Sequence, residues 1–117
     1  MTTAVTGPER LMNDIREHYK NNPHLKPVRE IWVSPTCCCA VACAYLKSIE
    51  SSNKLFHHAD AMSHASRNYG IPSQWVYGFI DGWNKRDDFK EGYERQDNKT
   101  GLDGYLAGEK FATEFFN

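Results

Sequence analysis

The chain has 117 residues, 40% hydrophobic and 25% charged, with a formal net charge of −1. That length fits one domain over residues 1–117, with a core large enough to need no metal or disulfide support. The balanced charge excludes the basic footprint of a nucleic-acid binder. No run approaches the ~20 apolar residues of a membrane span, and Met1–Thr6 lacks the basic and apolar regions of a secretory signal, so the expected compartment is the cytoplasm.

Thr6-Gly7-Pro8-Glu9 opens a helix, with Thr6 or Gly7 as cap and Pro8 at the first helical position. Leu11, Met12, Ile15 and Tyr19 share its inner face, and Asn21-Asn22-Pro23 closes it. Val28–Val33 is β-leaning without a partner strand, so it reads as an extended connector that buries Ile31 and Trp32 or Val33. Ser34-Pro35 signals the next helix. It places Cys38, Val41, Ala42, Tyr45 and Ile49 on one side, flanked by Cys39 and Leu46. A helix this apolar belongs at the centre of its domain.

Lys54–Tyr69 puts Leu55, Ala59, Met62, Ala65 and Tyr69 inward and His57, Asp60, His64 and Arg67 toward solvent, with Gly70 as its stop. After Pro72-Ser73, Trp75, Val76, Phe79, Ile80 and Trp83 form the heaviest apolar stripe of the chain. Residues 85–102 are polar, anchored only by Phe89 and Tyr93. They read as a loop that can hold a helical turn around Phe89–Arg95, long enough to suggest mobility or function. Asp103 caps a final helix whose inner face carries Tyr105, Gly108, Phe111, Ala112 and Phe115. Gly78/Gly82 and Gly104/Gly108 share a four-residue spacing that stacks glycines on one helix face. The favoured reading is tight packing between the last two helices, and the alternative is a homodimer seam.

Cys37, Cys38, Cys39 and Cys43 crowd too closely to staple distant segments and read as thiols. In the first turn of a helix, Cys37–Cys39 would gain thiolate character. That motivates a thiol enzyme or sensor working with His57 or His64, although the histidines follow in the very next helix and a small buried hydrophobic role is the commoner one. A metal site would draw on two pairs spaced one turn apart, Cys39 with Cys43 and Asp60 with His64. Adjacent cysteines point about 100° apart on a helix and cannot share one ion. The row of His57, Asp60 and His64 reads first as a solvated face. Tyr77, Phe89, Tyr93 and Phe116 have no evident inward role and mark the candidate partner surface. No phosphate-binding glycine loop, serine elbow or cofactor motif occurs.

The order Cys38-Cys39-Ala40-Val41-Ala42, then Gly70-Ile71-Pro72, then Tyr77-Gly78-Phe79-Ile80-Asp81-Gly82-Trp83-Asn84 resembles small uncharacterised helical proteins of actinobacteria and their phages. Tyr105–Ala112 is similar to tyrosine–glycine helices of small phage proteins. The resemblance covers residues 35–84 and 103–116, and the triple cysteine and the insertion after Asn84 depart from it. It implies no activity, only a context of accessory proteins that bind a host or viral protein.

Together these observations predict an all-α, single-domain bundle of about five helices with one short extended connector. The leading function is a non-enzymatic accessory or protein-binding protein, expected from the resemblance to be phage-encoded and to act on a host component, with no cofactor and a protein partner rather than nucleic acid or membrane. The rival readings are a thiol-dependent enzyme or sensor built on Cys37–Cys39 and a small metal-binding regulator.

Overall fold

A computed structural model of the chain describes residues 6–23, 26–27, 33–34, 37–38 and 58–116. The fold is all-α. Five helices occur among the described residues: α1 (Gly7–Asn21), α2 (His58–Tyr69), α3 (Ser73–Trp83), α4 (Asp87–Arg95) and α5 (Lys99–Ala112). They fall into two compact units, Met1–Ile71 and Pro72–Asn117.

In the first unit, α1 begins where its sequence signals place it. Thr6 Oγ1 accepts a hydrogen bond from the Glu9 backbone N–H at 3.2 Å, and proline occupies the first turn. Glu9 lies at the positive end of the helix and Lys20 at the negative end, as the helix dipole favours. Leu11, Ile15 and Tyr19, each four residues apart, are buried. α2 contributes Ala65 and Tyr69 to this core. The two helices are joined by polar contacts as well. The Arg10 guanidinium donates to the Asn68 carbonyl at 3.0 Å and lies 5.4 Å over the Tyr69 ring. The Tyr69 hydroxyl donates to Asp14 at 2.5 Å. Gly70, at φ +64°, ends α2, and the Ile71 N–H reaches back to the Ser66 carbonyl at 3.0 Å.

Among its described residues the same unit holds three two-residue strands, β1 (Lys26–Pro27), β2 (Val33–Ser34) and β3 (Cys37–Cys38), in the order β1-β3-β2. β3 pairs in parallel with β1 and antiparallel with β2. The described end of the extended connector, Val33–Ser34, thus has a partner, and Cys37–Cys38 is strand rather than the first turn of a helix opened by Pro35. Proline biases Ser34 toward extended backbone, threonine and cysteine are modest helix formers, and pairing on both sides satisfies the backbone of Cys37–Cys38. The expected positions Ile31, Trp32, Cys39, Val41, Ala42, Cys43, Tyr45, Leu46, Ile49, Leu55 and His57 lie outside the described residues.

The second unit is built on α3 and α5. A Cβ placed on Gly78 would overlap the Gly101 carbonyl, and one on Gly82 the Tyr105 carbonyl. Conversely, Gly104 meets the Trp75 carbonyl and Gly108 the Phe79 carbonyl. A step of four residues along α3 matches a step of four along α5, so the two helices run parallel. The glycine pairs meet within one chain, as tight intramolecular packing. Around this seam Phe79, Trp83, Tyr105, Phe111 and Ala112 are buried. Trp83 stands 5.8 Å from the Phe111 ring, 5.5 Å from Phe115 and 5.2 Å from Phe116, which docks the end of the chain.

Parallel neighbours require a return segment, and α4 supplies it. Residues 85–102 are therefore largely helical rather than a loop. α4 carries Asp87 and Asp88 in its first turn and Arg95 in its last. α5 starts at Lys99 rather than after Asp103, because Asn98 is its cap: Asn98 Oδ1 accepts from the Gly101 N–H at 3.0 Å.

Both helices before these turns end without glycine. Lys85 (φ 58°) and Asp97 (φ 52°) occupy the left-handed position that follows a helix. The N–H groups of Arg86 and Asn98 reach back to the carbonyls of Asp81 and Tyr93 at 3.0 and 2.9 Å. Lysine lacks the local side-chain compensation that aspartate has in this conformation. Lys85→Gly is therefore expected to stabilise the protein by about 0.5–1 kcal/mol, after the greater unfolded-state freedom of glycine is counted. A higher midpoint in urea denaturation would show it, and a lower one would refute the strain.

Candidate functional site

Gln74, Tyr77 and Asp81 follow one another at three- and four-residue steps along α3. The outer two are tied to the rest of the unit. Gln74 Oε1 accepts from Asn98 Nδ2 at 2.9 Å, and Asp81 Oδ2 accepts from the Tyr93 hydroxyl at 2.7 Å. Asn98 thereby bridges to α3 and caps α5 with one side chain. Tyr77, between the two bridges, is 46% exposed. Alongside, at the junction of α4 and α5, lies an open recess of about 220 Å³ lined by Tyr93, Glu94, Asp97, Asn98, Lys99 and Leu102.

The electrostatics of this region follow from partial burial. Burial raises the Asp81 carboxyl above its ordinary range, and Asp88 adds to that, while the Tyr93 hydrogen bond and Arg86 oppose it. Burial, reinforced by the neighbouring Asp81 carboxylate, pushes the Tyr93 hydroxyl well above its ordinary value. The Tyr105 hydroxyl donates to Asp87 Oδ1 at 3.0 Å and is likewise raised, first by burial.

A raised carboxyl holds its proton more tightly in the folded state. Its stabilising contribution is therefore complete below pH 3.8, the ordinary value for this group, and is lost as pH rises through the higher folded value. Asp81→Asn keeps an oxygen to accept from Tyr93 and removes the charge. Its melting temperature should exceed the wild-type value at pH 7, and the gap should close as the pH is lowered toward 3.8. A gap that widens on acidification would reverse the assignment.

The residues expected at a partner surface separate into two kinds. Tyr77 and Phe89 are open, at 46% and 44% exposure, and the Arg86 guanidinium lies 5.4 Å over the Phe89 ring. Tyr93 and Phe116 have inward roles: Tyr93 bonds Asp81 and lays its ring against Gly101, and Phe116 packs edge-on against Trp83. Tyr93 is linked to Tyr77 only indirectly, through its bond to Asp81 one turn further along α3. Leu106, 45% exposed on α5, is a further open apolar residue. Its absence from the inward-facing positions of the last helix was the signal in the sequence.

For metal chemistry, no group of three or more His, Cys, Asp or Glu side chains suited to hold an ion occurs among the described residues. Cys39 and Cys43 lie outside them, and Asp60 sits on α2 one turn before His64. His64 is partly buried rather than fully turned to solvent. Its Nε2 lies 3.3 Å from Asn68 Nδ2, and its ring meets Tyr69 edge-on at 6.2 Å. Burial, and then Arg67, lower its pKa, with Asp14 opposing. Thiolate character at Cys37–Cys39 would follow from a helix N-terminus; a strand occupies Cys37–Cys38, and Cys39 lies outside the described residues. No helix among the described residues is long and apolar enough to cross a membrane. No protein-family model matches the chain, and neither does any curated protein or solved structure.

Proposed function

We propose that the chain is a non-enzymatic accessory protein that binds another protein through the α3 face centred on Tyr77 and the neighbouring recess. The observation that carries this reading is the half-exposed Tyr77 ring, set on a helix whose flanking positions are both tied down by hydrogen bonds. A tyrosine on a rigid platform offers a large amphipathic contact with little conformational entropy left to lose, the property that makes tyrosine frequent among interface anchors. Tyr93 and Asn98 hold the positions on either side of Tyr77 through Asp81 and Gln74. In the phage context that the sequence resemblance implies, the partner is a host component.

Tyr77→Ser tests the proposal. The wild-type protein, immobilised in lysate of its native host background, should retain a discrete partner, and Tyr77→Ser should weaken that retention by about tenfold or more. The melting temperature of the variant should stay within the range of an ordinary surface substitution. Retention of no discrete partner by the wild type, or equal retention by the variant, would rule out this face.

A further inference from the structure

We draw no further inference here: the strongest candidate, the recess at the junction of α4 and α5 lined by Tyr93, Glu94, Asp97, Asn98, Lys99 and Leu102, belongs to the surface already described, and nothing in the structure shows what ligand it would take or what covers it.

Discussion

Gly82→Ala is expected to unfold the Pro72–Asn117 unit or to cost it about 3 kcal/mol or more, the upper end of the usual range for overpacking. The added methyl would meet backbone: the Tyr105 carbonyl, with the Glu109 nitrogen only 2.8 Å away. A flexible side chain could swing aside, but a helix backbone moves only as a whole. Relief would come from pushing α3 and α5 apart. That separation would also loosen Gly78 from Gly101, Gly104 from Trp75 and Gly108 from Phe79, since all four approaches share one seam. The dispersion contacts around Trp83, Tyr105 and Phe111 would weaken with them.

Gly92→Ala is the matched control. Gly92 lies within α4, and a Cβ there meets nothing within 4 Å. The same substitution should then stabilise the helix by up to about 1 kcal/mol, through better helix propensity and a less flexible unfolded chain. Urea denaturation followed by circular dichroism would measure both. A Gly82→Ala midpoint equal to or above wild type would disprove the seam, whereas opposite signs at the two glycines would establish it independently of any general effect of alanine.

That seam was legible in the sequence as a spacing, but its direction was not. Gly78/Gly82 and Gly104/Gly108 announced close approach. Parallel packing depended on a helical return, and α4 gave little sign of itself. It buries no residue, and its boundaries are closed by Lys85 and Asp97 where glycine would have flagged a stop. α1 was the opposite case. Threonine cap, early proline and the Leu11-Ile15-Tyr19 stripe all pointed to the same element.

The strand at Cys37–Cys38 was hidden for a different reason. Two-residue pairings carry no alternation to read, and Ser34-Pro35 is an equally good helix start and strand exit. At the candidate surface, Tyr77 was recognisable because its position falls outside the apolar stripe of α3. The inward role of Tyr93 was not recognisable, since its partner Asp81 stands twelve residues earlier, across a turn that the sequence did not reveal.

Three tyrosines bonded to carboxylates set the second large effect, a steep loss of stability at alkaline pH. Tyr69, Tyr93 and Tyr105 each donate their hydroxyl to a carboxylate, Asp14, Asp81 and Asp87 respectively. Burial is the leading cause of the upward shift in all three, and the adjacent carboxylate adds to it, because a phenolate there would face a like charge. The ordinary tyrosine value is 10.0, and the folded values lie well above it. Folding thus holds these protons more tightly than the unfolded chain does. The stabilisation is complete below pH 10 and is lost as pH rises from 10 toward the folded values. Across that window the native state retains up to three protons that the unfolded chain releases, and stability should fall correspondingly steeply with pH. Phenolate absorbance and helical circular dichroism, recorded together in an alkaline titration, would test this. The absorbance owed to these three residues should emerge only as helicity is lost. Tyr93→Phe, which removes one of the three protons, should give a shallower decline of the urea midpoint with pH. If every tyrosine instead ionised near pH 10 with the helices intact, the hydroxyl–carboxylate pairs would not exist in solution as the structure draws them, and Tyr77 would lose the fixed Asp81–Tyr93 support on which its role as an anchor rests.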